Sequence, residues 1–463
     1  MSQKRAFGSQ DTSIFERSLT SNVGLAPILQ LENLFDTAKE RKQFSRILMK
    51  FNLSAITGDI SAGNLPDPAT DSTVTTYLYV YNCKHGDEQA TSFSVNVHPL
   101  TQEWTEGNGL DLDDLTETGY ANAVSADSTN AWTTTGGTFE VDANSATQSF
   151  DHGEEDLKVN ITNLFNEWYA GNTGNFGVIL KMTDTEEIKT GSTSANSLYY
   201  KKFYGRTTNT RKRPYIALEW DNSIKDDRSS IAFNSTGLLW FYNIINGQLQ
   251  DLNSTSDFPG NITLSGLTSS TQGSGTADSG TSITTNLTAA RHSKGIYKCN
   301  IGTLALTANT YTAFKDNWFV SASPTANYTF DFTTTNASSG FDEFQTSSYK
   351  IVLRNLKNEY EENSKTRIFV NIKDDSITWV PMTAATTATN TFTCTDATFE
   401  IREANTDEVE IPAENLSYDK NGNFFVIDTT NLYTGFKYYP VIKLNIRGET
   451  IYLRDQKKNF EII

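Results

Sequence analysis

Short runs in which apolar and polar residues alternate recur along most of the chain, the period of strands with one buried face. Thr12 and Ile14 alternate in this way, as do Leu29 and Leu31 beyond a turn at Asn22 to Gly24. In FSRILMKFNLSAI, Ile47, Met49 and Phe51 fall on one face of a mostly buried strand, and a Gly/Pro/Asp loop follows from Gly58 to Asp71. TYLYVYNC is aromatic and β-branched throughout, and SFSVNVHPL turns Phe93, Val95 and Val97 to one side; these two have the composition of a sheet centre. One stretch changes period. Ile161, Leu164, Phe165 and Trp168 repeat at i, i+3, i+4 and i+7, which predicts a short helix with Thr162 as N-cap and Gly171 as its end. Gly171 to Gly177 then supplies a turn and Val178 to Leu180 a strand. A helix of about two turns does not persist alone in water. Leu164, Phe165 and Trp168 are therefore expected to plug a larger body, a β-sandwich. SLYYKKFYGRTTNTRKRPYIALEWD adds two strands, the second starting after Pro214.

Residues 104 to 150 break the pattern, with almost no continuous apolar periodicity. A loop of this length is expected to be functional or an interface segment, with Trp104 and Trp132 anchoring its ends. The polar run Asp221 to Arg228 marks a first boundary. Beyond it STGLLWFYNIINGQLQDL has turn formers on both sides of an aromatic strand, Asn246 and Gly247 among them, as in a hairpin. NITLSGL, GIYKCNIGTL, YTAFKDNWFVS and YTFDFTT are further strands, and Ser269 to Ser282 reads as a mobile loop. Their regular spacing predicts an immunoglobulin-like sandwich. From about Ser338, YKIVLRNL, TRIFVNIKD, ATFEIREA, NFFVIDTT, KYYPVIKLNIRG and TIYLRDQ alternate again, with a hairpin turn at Tyr418 to Asn423 and a low-complexity loop at Thr383 to Thr398. KKNFEII is expected to be a last strand at an edge open to another chain. The expected organisation is all-β: residues 1–222, 223–337 and 338–463, each a β-sandwich, the first with one short helix.

Composition supports strands: aromatics are 12% of 463 residues, and Thr, Ser and Asn are abundant. The formal net charge of −17 argues against a nucleic-acid partner, since phosphate binding needs surplus Lys and Arg. The N-terminus MSQKRAFGSQDTS lacks an apolar signal core and no run approaches a membrane span, so neither secretion nor a membrane partner is expected. Cys83, Cys299 and Cys394 are odd in number and far apart, which favours reduced packing cysteines over disulfides.

Chemistry-bearing motifs are scarce. A nucleophile elbow, a Walker loop, HExxH and paired-cysteine zinc spacing are all missing, so no catalytic residue and no cofactor is assigned. His85, His98, His152 and His292 are scattered and read as satisfied or solvated. Asp111, Asp113 and Asp114, with Glu106 and Glu117, are the carboxylates that could supply oxygens to calcium, but Thr116 and Asn122 stand where an EF-hand needs Gly and Glu, so no metal is assigned. Arg206, Arg211, Lys212 and Arg213 form a basic cluster in an acidic chain: either a charged edge against aggregation or a docking point for an acidic surface. With Trp104 and Trp132 they are the candidate protein-interaction residues. Tyr199, Tyr200, Phe203 and Tyr204 could stack on sugar rings, although core packing accounts for at least half of them.

The succession DTSIFERSLTSNVG, FSRILMKFNLS, TYLYVYNC, EWTEGNG, VNITNLFNEWYAGNTGNFGVILK and RPYIALEW, spanning about residues 8 to 221, resembles the DNRLRE-type β-sandwich modules, relatives of carbohydrate-binding jelly rolls, though the literal DNRLRE string is missing. WTEGNGLDLDD, NAWTTTGG, GIYKC and DNWFV resemble virion structural proteins of tailed bacteriophages over most of the chain. The resemblance implies an N-terminal jelly roll followed by two smaller immunoglobulin-like domains. It further implies a non-enzymatic component of the neck, collar, tail or baseplate, assembled in the host cytoplasm, whose partners are other virion proteins and copies of itself. The alternative is a carbohydrate- or receptor-binding module that holds a surface glycan.

Overall fold

The computed structural model describes residues 2–463 except 37–40, 87–90, 111–119, 188–198, 229–230, 232–235, 254–256, 269–279, 304–310, 312, 321–326, 333–348, 375–390, 420 and 447–448. The chain is all-β in class and divides into two compact units, Gln3–Trp220 and Asp221–Ile463, the latter with Met1–Ser2.

The first unit contains β1 (Ser2–Phe15), β2 (Ile28–Asp36), β3 (Arg41–Phe51), α1 (Ser54–Ser61), β4 (Thr75–Val80), β5 (Phe93–Pro99), β6 (Ala146–Phe150), β7 (Leu157–Asn160), α2 (Thr162–Ala170), β8 (Val178–Met182), α3 (Asp184–Glu187), β9 (Tyr199–Tyr204) and β10 (Tyr215–Trp220). Eight strands run in the order β6-β5-β8-β3-β1-β10-β4-β7, and β2 joins the sheet through β3 and carries β9. The ends nearly meet. The Gln148 side chain on β6 donates to Asp156 O and accepts from Lys158 N on β7, spanning the gap between the two edges where a backbone ladder is missing.

Both faces of β3 are buried. Ile47, Met49 and Phe51 join the main core with Leu78, Val95, Leu180 and Ile216, as the alternation predicts. Leu48, on the opposite face, packs with Ile14, Ile179, Leu100, Trp104, Ala121, Ala126 and Trp132 in a second core. The long irregular segment after β5 is thus a cover over the outer face of the sheet. It is not a loop to residue 150, since Ala146–Phe150 pairs with β5.

Helix α2 inserts Leu164, Phe165 and Trp168 into the main core and ends at Gly171, whose φ of 74° is the left-handed conformation a glycine adopts freely. Thr162 is not the N-cap. Its hydroxyl donates to Asn160 Oδ1 and accepts Thr76 N–H from β4, while Ile161 holds the cap position with no side-chain bond. Neighbouring strand donors, invisible in the sequence, outbid the helix for that oxygen. A second short helix, α1, takes the start of the expected Gly58 to Asp71 loop, as far as Ser61, and the end of the expected strand: Ile56 and Ile60 are buried one helical turn apart, and Asn52 Oδ1 accepts Ser54 N–H at its start.

In the second unit β11 (Thr236–Tyr242), β12 (Ile244–Ile245), β13 (Gln248–Leu249), β14 (Ile262–Leu267), β15 (Thr281–Leu287), β16 (Ala289–Ser293), β17 (Ile296–Thr303), β18 (Ala313–Trp318) and β19 (Tyr328–Phe332) come first. The sheets β11-β17-β16 and β15-β14-β18-β19 contribute Phe241, Tyr297 and Cys299, and Leu264, Phe314 and Trp318, to one core. Asn246 and Gly247 (φ 52° and 78°) turn the β12–β13 hairpin, the conformation that Asn-Gly favours. The rest is β20 (Tyr349–Arg354), β21 (Glu359–Tyr360), β22 (Lys365–Asp374), β23 (Thr391–Phe392), β24 (Ala397–Glu403), β25 (Val409–Asn415), β26 (Ser417–Asp419), β27 (Gly422–Asp428), β28 (Lys437–Ile446), β29 (Glu449–Arg454) and β30 (Phe460–Ile462). Sheets β20-β22-β27-β26 and β21-β30-β28-β24-β25 enclose a separate core that includes Ile368, Phe425, Ile401, Ile442 and Phe460. Here β30 is no open edge: it pairs with both β21 and β28, because Phe460 and Ile462 have core positions to fill.

The polar run at the start of this unit acts as a strap. Ile224 accepts Tyr418 N–H and donates to Ser417 Oγ, and Lys225 O accepts the Tyr242 hydroxyl. Arg228 forks onto Asp316, which is fully buried, at 3.1 and 2.6 Å, and also donates to Trp240 O; Trp318 Nε1 caps the same carboxylate at 2.7 Å. All three cysteines are free and buried.

Candidate functional site

Two of the sequence segments quoted for the resemblance, DTSIFERSLTSNVG and EWTEGNG, meet at one place in the first unit, where Arg206 joins them. Asn22, from SLTSNVG, uses its whole amide: Nδ2 donates to Glu106 O at 2.7 Å and to Ala121 O at 2.8 Å, and Oδ1 accepts Gly24 N–H and Gly109 N–H. This explains the glycines of EWTEGNG. A Cβ at Gly109 would lie 1.7 Å from Asn22 O, and Gly107 sits at φ 91° against the Asn22 amide. Glu106 turns inward, accepting Asp11 N–H at 2.7 Å, and Arg206 grips the same carboxylate through Nε at 2.6 Å and through Nη2. Asp11 accepts Arg206 N–H through Oδ2, while its buried Oδ1 has no partner. Two carboxylates thus share one arginine, Glu106 through its guanidinium and Asp11 through its backbone N–H, and Asp11, with burial as the main cause and Glu106 adding repulsion against the Arg206 contacts, is pushed up to about 7.

This geometry redistributes the candidate residues. Arg206 spends its guanidinium on Glu106 in this junction, with its side chain half-buried. Trp104 and Trp132 are corrected: both are buried, Trp104 Nε1 donates to Phe176 O and Trp132 Nε1 to Asn122 O, so they anchor the covering segment and offer nothing to a partner. Arg211, Lys212 and Arg213 remain in the loop between β9 and β10, with Lys212 over the Tyr204 ring and exposed Arg213 over Phe7. Among the aromatics considered for sugar stacking, Phe203 is fully buried, and the Tyr199 side chain lies outside the described residues. Asp111, Asp113, Asp114 and Glu117 lie outside them too. Among the described residues, no group of three or more His, Cys, Asp or Glu side chains could hold a metal ion, and no helix is long and apolar enough to cross a membrane.

Other titratable side chains are tied into the fold. Lys201, fully buried on β9, donates to Asn82 Oδ1, Gly153 O and Glu155 O at 2.7 to 2.8 Å, and burial lowers its ammonium to about 8. Arg46 clasps Glu187 of α3 at 3.1 and 2.7 Å and reaches Gly136 O of the cover, and Lys181 joins the same carboxylate at 3.2 Å. His98, hydrogen-bonded to Ser145 and stacked on Phe139, is lowered to about 4 by burial and then by Lys181.

A cleft of about 440 Å³ lies where the end of β3 meets the α1 turn, α2 and the α2–β8 turn; Lys50, Asn52, Ser54, Thr57, Trp168 and Asn175 are among the residues that line it. Neither the cleft nor the junction carried a signal readable as a site, since each is assembled from residues more than a hundred positions apart. No protein-family model matches the chain, and neither does any curated protein.

Proposed function

We propose that the chain is a non-enzymatic structural component of a tailed-phage virion, at the neck, collar, tail or baseplate, working through contacts with other virion proteins and with copies of itself. The observation that carries this reading is how the conspicuous motif residues are used. Asp11, Asn22, Glu106 and Arg206 hold a cover onto a sheet, and Arg228 and Asp316 hold a sandwich together. Such groups serve rigidity, as a scaffold requires, and the quoted phage-like segments supply the setting. The Arg211–Arg213 loop is the contact we assign to an acidic neighbour, since it gathers three cations, Arg213 exposed and Arg211 and Lys212 half-buried, in a chain of net charge −17. Mass-spectrometric inventory of purified particles with cross-linking tests this: the protein should be present and should cross-link through Lys212. R211E/K212E/R213E should fold yet be depleted from particles. Absence of the parent protein from the particles would overturn the assignment.

A further inference from the structure

We propose that the cleft beside Trp168 binds an uncharged polyhydroxylated ligand, a sugar residue or small polyol. This stands apart from the virion reading and holds in any setting for the chain. Size is the first argument, because about 440 Å³ lies within the usual range of small-ligand sites. The second is the lining. Exposed Asn52 and Ser54 sit at the rim; Asn52 Oδ1 accepts Ser54 N–H, leaving the Asn52 amide N–H groups and the Ser54 hydroxyl without a protein partner. Thr57 donates to Leu53 O and keeps its acceptor capacity. Deeper in, Trp168 Nε1 and Asn175 Oδ1 are a donor and an acceptor with no partner at all, although Asn175 Nδ2 is anchored on Phe51 O at 2.9 Å. Both atoms are screened from water, so either side chain must turn towards the cleft to engage a ligand. Their unmet hydrogen bonds favour that rotation once a ligand hydroxyl arrives.

Charge selects the ligand class. The one cation of the lining, Lys50, is paired with Glu103, and no carboxylate belongs to the lining. Apart from that paired Lys50 the walls are neutral: amide, hydroxyl and indole, with apolar Phe51 and Leu53. These suit hydroxyl groups that donate and accept at once, whereas an anion or a cation would enter without a counter-charge.

Indole-¹⁵N labelling of the full chain provides the readout: W168F assigns the Trp168 signal among those of seven tryptophans. Titration with glucose, galactose, N-acetylglucosamine or glycerol should move that signal saturably for at least one of the four, and sodium phosphate should not. N52A/S54A, at exposed positions, should weaken the apparent Kd about tenfold with an unchanged overall spectrum. Saturation-transfer NMR on the parent and N52A/S54A reads the same binding without the assignment, should W168F be unstable. No saturable binding of any of the four, preference for phosphate, or equal binding by N52A/S54A would each overturn the proposal.

Discussion

Asp11 sits in the middle of a strand, a position that a sequence reading assigns to alternation alone, yet its carboxyl has the most consequential environment of the first unit. In the folded chain it is held up to about 7, by burial first and by Glu106 second, against an ordinary value near 3.8. The folded state therefore binds the proton more tightly than the unfolded state. The resulting stabilisation is complete below pH about 4, shrinks as pH rises through the interval to about 7, and is gone above it. Urea unfolding at a series of pH values should show this decline in the transition of the Gln3–Trp220 unit. Asp11→Asn, which keeps an acceptor for Arg206 N–H without a charge, should flatten it and unfold at higher urea than the parent at pH 8. A parent and variant with parallel profiles would remove Asp11 as the cause. At the same junction, Gly109→Ala should destabilise the unit by about 2 kcal/mol or more, because the added carbon meets backbone that cannot give way. Partial proteolysis would detect it as faster cleavage within the cover. The EGNG motif could be read in the sequence, but its reason could not, since the partner amide is Asn22, far away along the chain.

Helix α2 shows what is local and what is not in an element. The spacing of Leu164, Phe165 and Trp168, and Gly171 as terminator, are properties of nine residues and were legible. Trp168→Ala should cost about 3–5 kcal/mol through the cavity it leaves, whereas Trp168→Phe should cost much less. Gly171→Ala should cost about 1 kcal/mol, for conformational reasons alone, since nothing lies within 4 Å of the added carbon. Thermal unfolding of the three variants should rank them in that order of loss, with Trp168→Ala lowest in Tm. The N-cap is not local: Thr162, which the sequence offers for it, serves β4 instead. The irregular cover has no period for a related reason: its regularity comes from Asn22, Arg46 and the sheet below, not from its own backbone ladder.

At the scale of the whole molecule, separate cores imply separate responses. Arg228→Ala strands the buried Asp316 carboxylate and should lower the stability of the Asp221–Ile463 unit by about 3–5 kcal/mol, while the apolar Arg228→Met/Asp316→Leu pair should recover much of that loss. Calorimetry should place this shift in one transition and the Trp168→Ala shift in another; a common shift would mean that the cores unfold together. The sequence by itself determined the all-β class, the strands, the helical plug and most turns, because these follow from alternation, the 3.6 period and residues such as Asn-Gly that tolerate positive φ. Tertiary structure alone decided that Trp104 and Trp132 face inward, that Arg206 is paired with Glu106, that β30 is an inner strand, and that a cleft forms beside Trp168. Each of these depends on which distant residue supplies the opposing charge, hydrogen bond or apolar face, and local sequence does not encode that pairing.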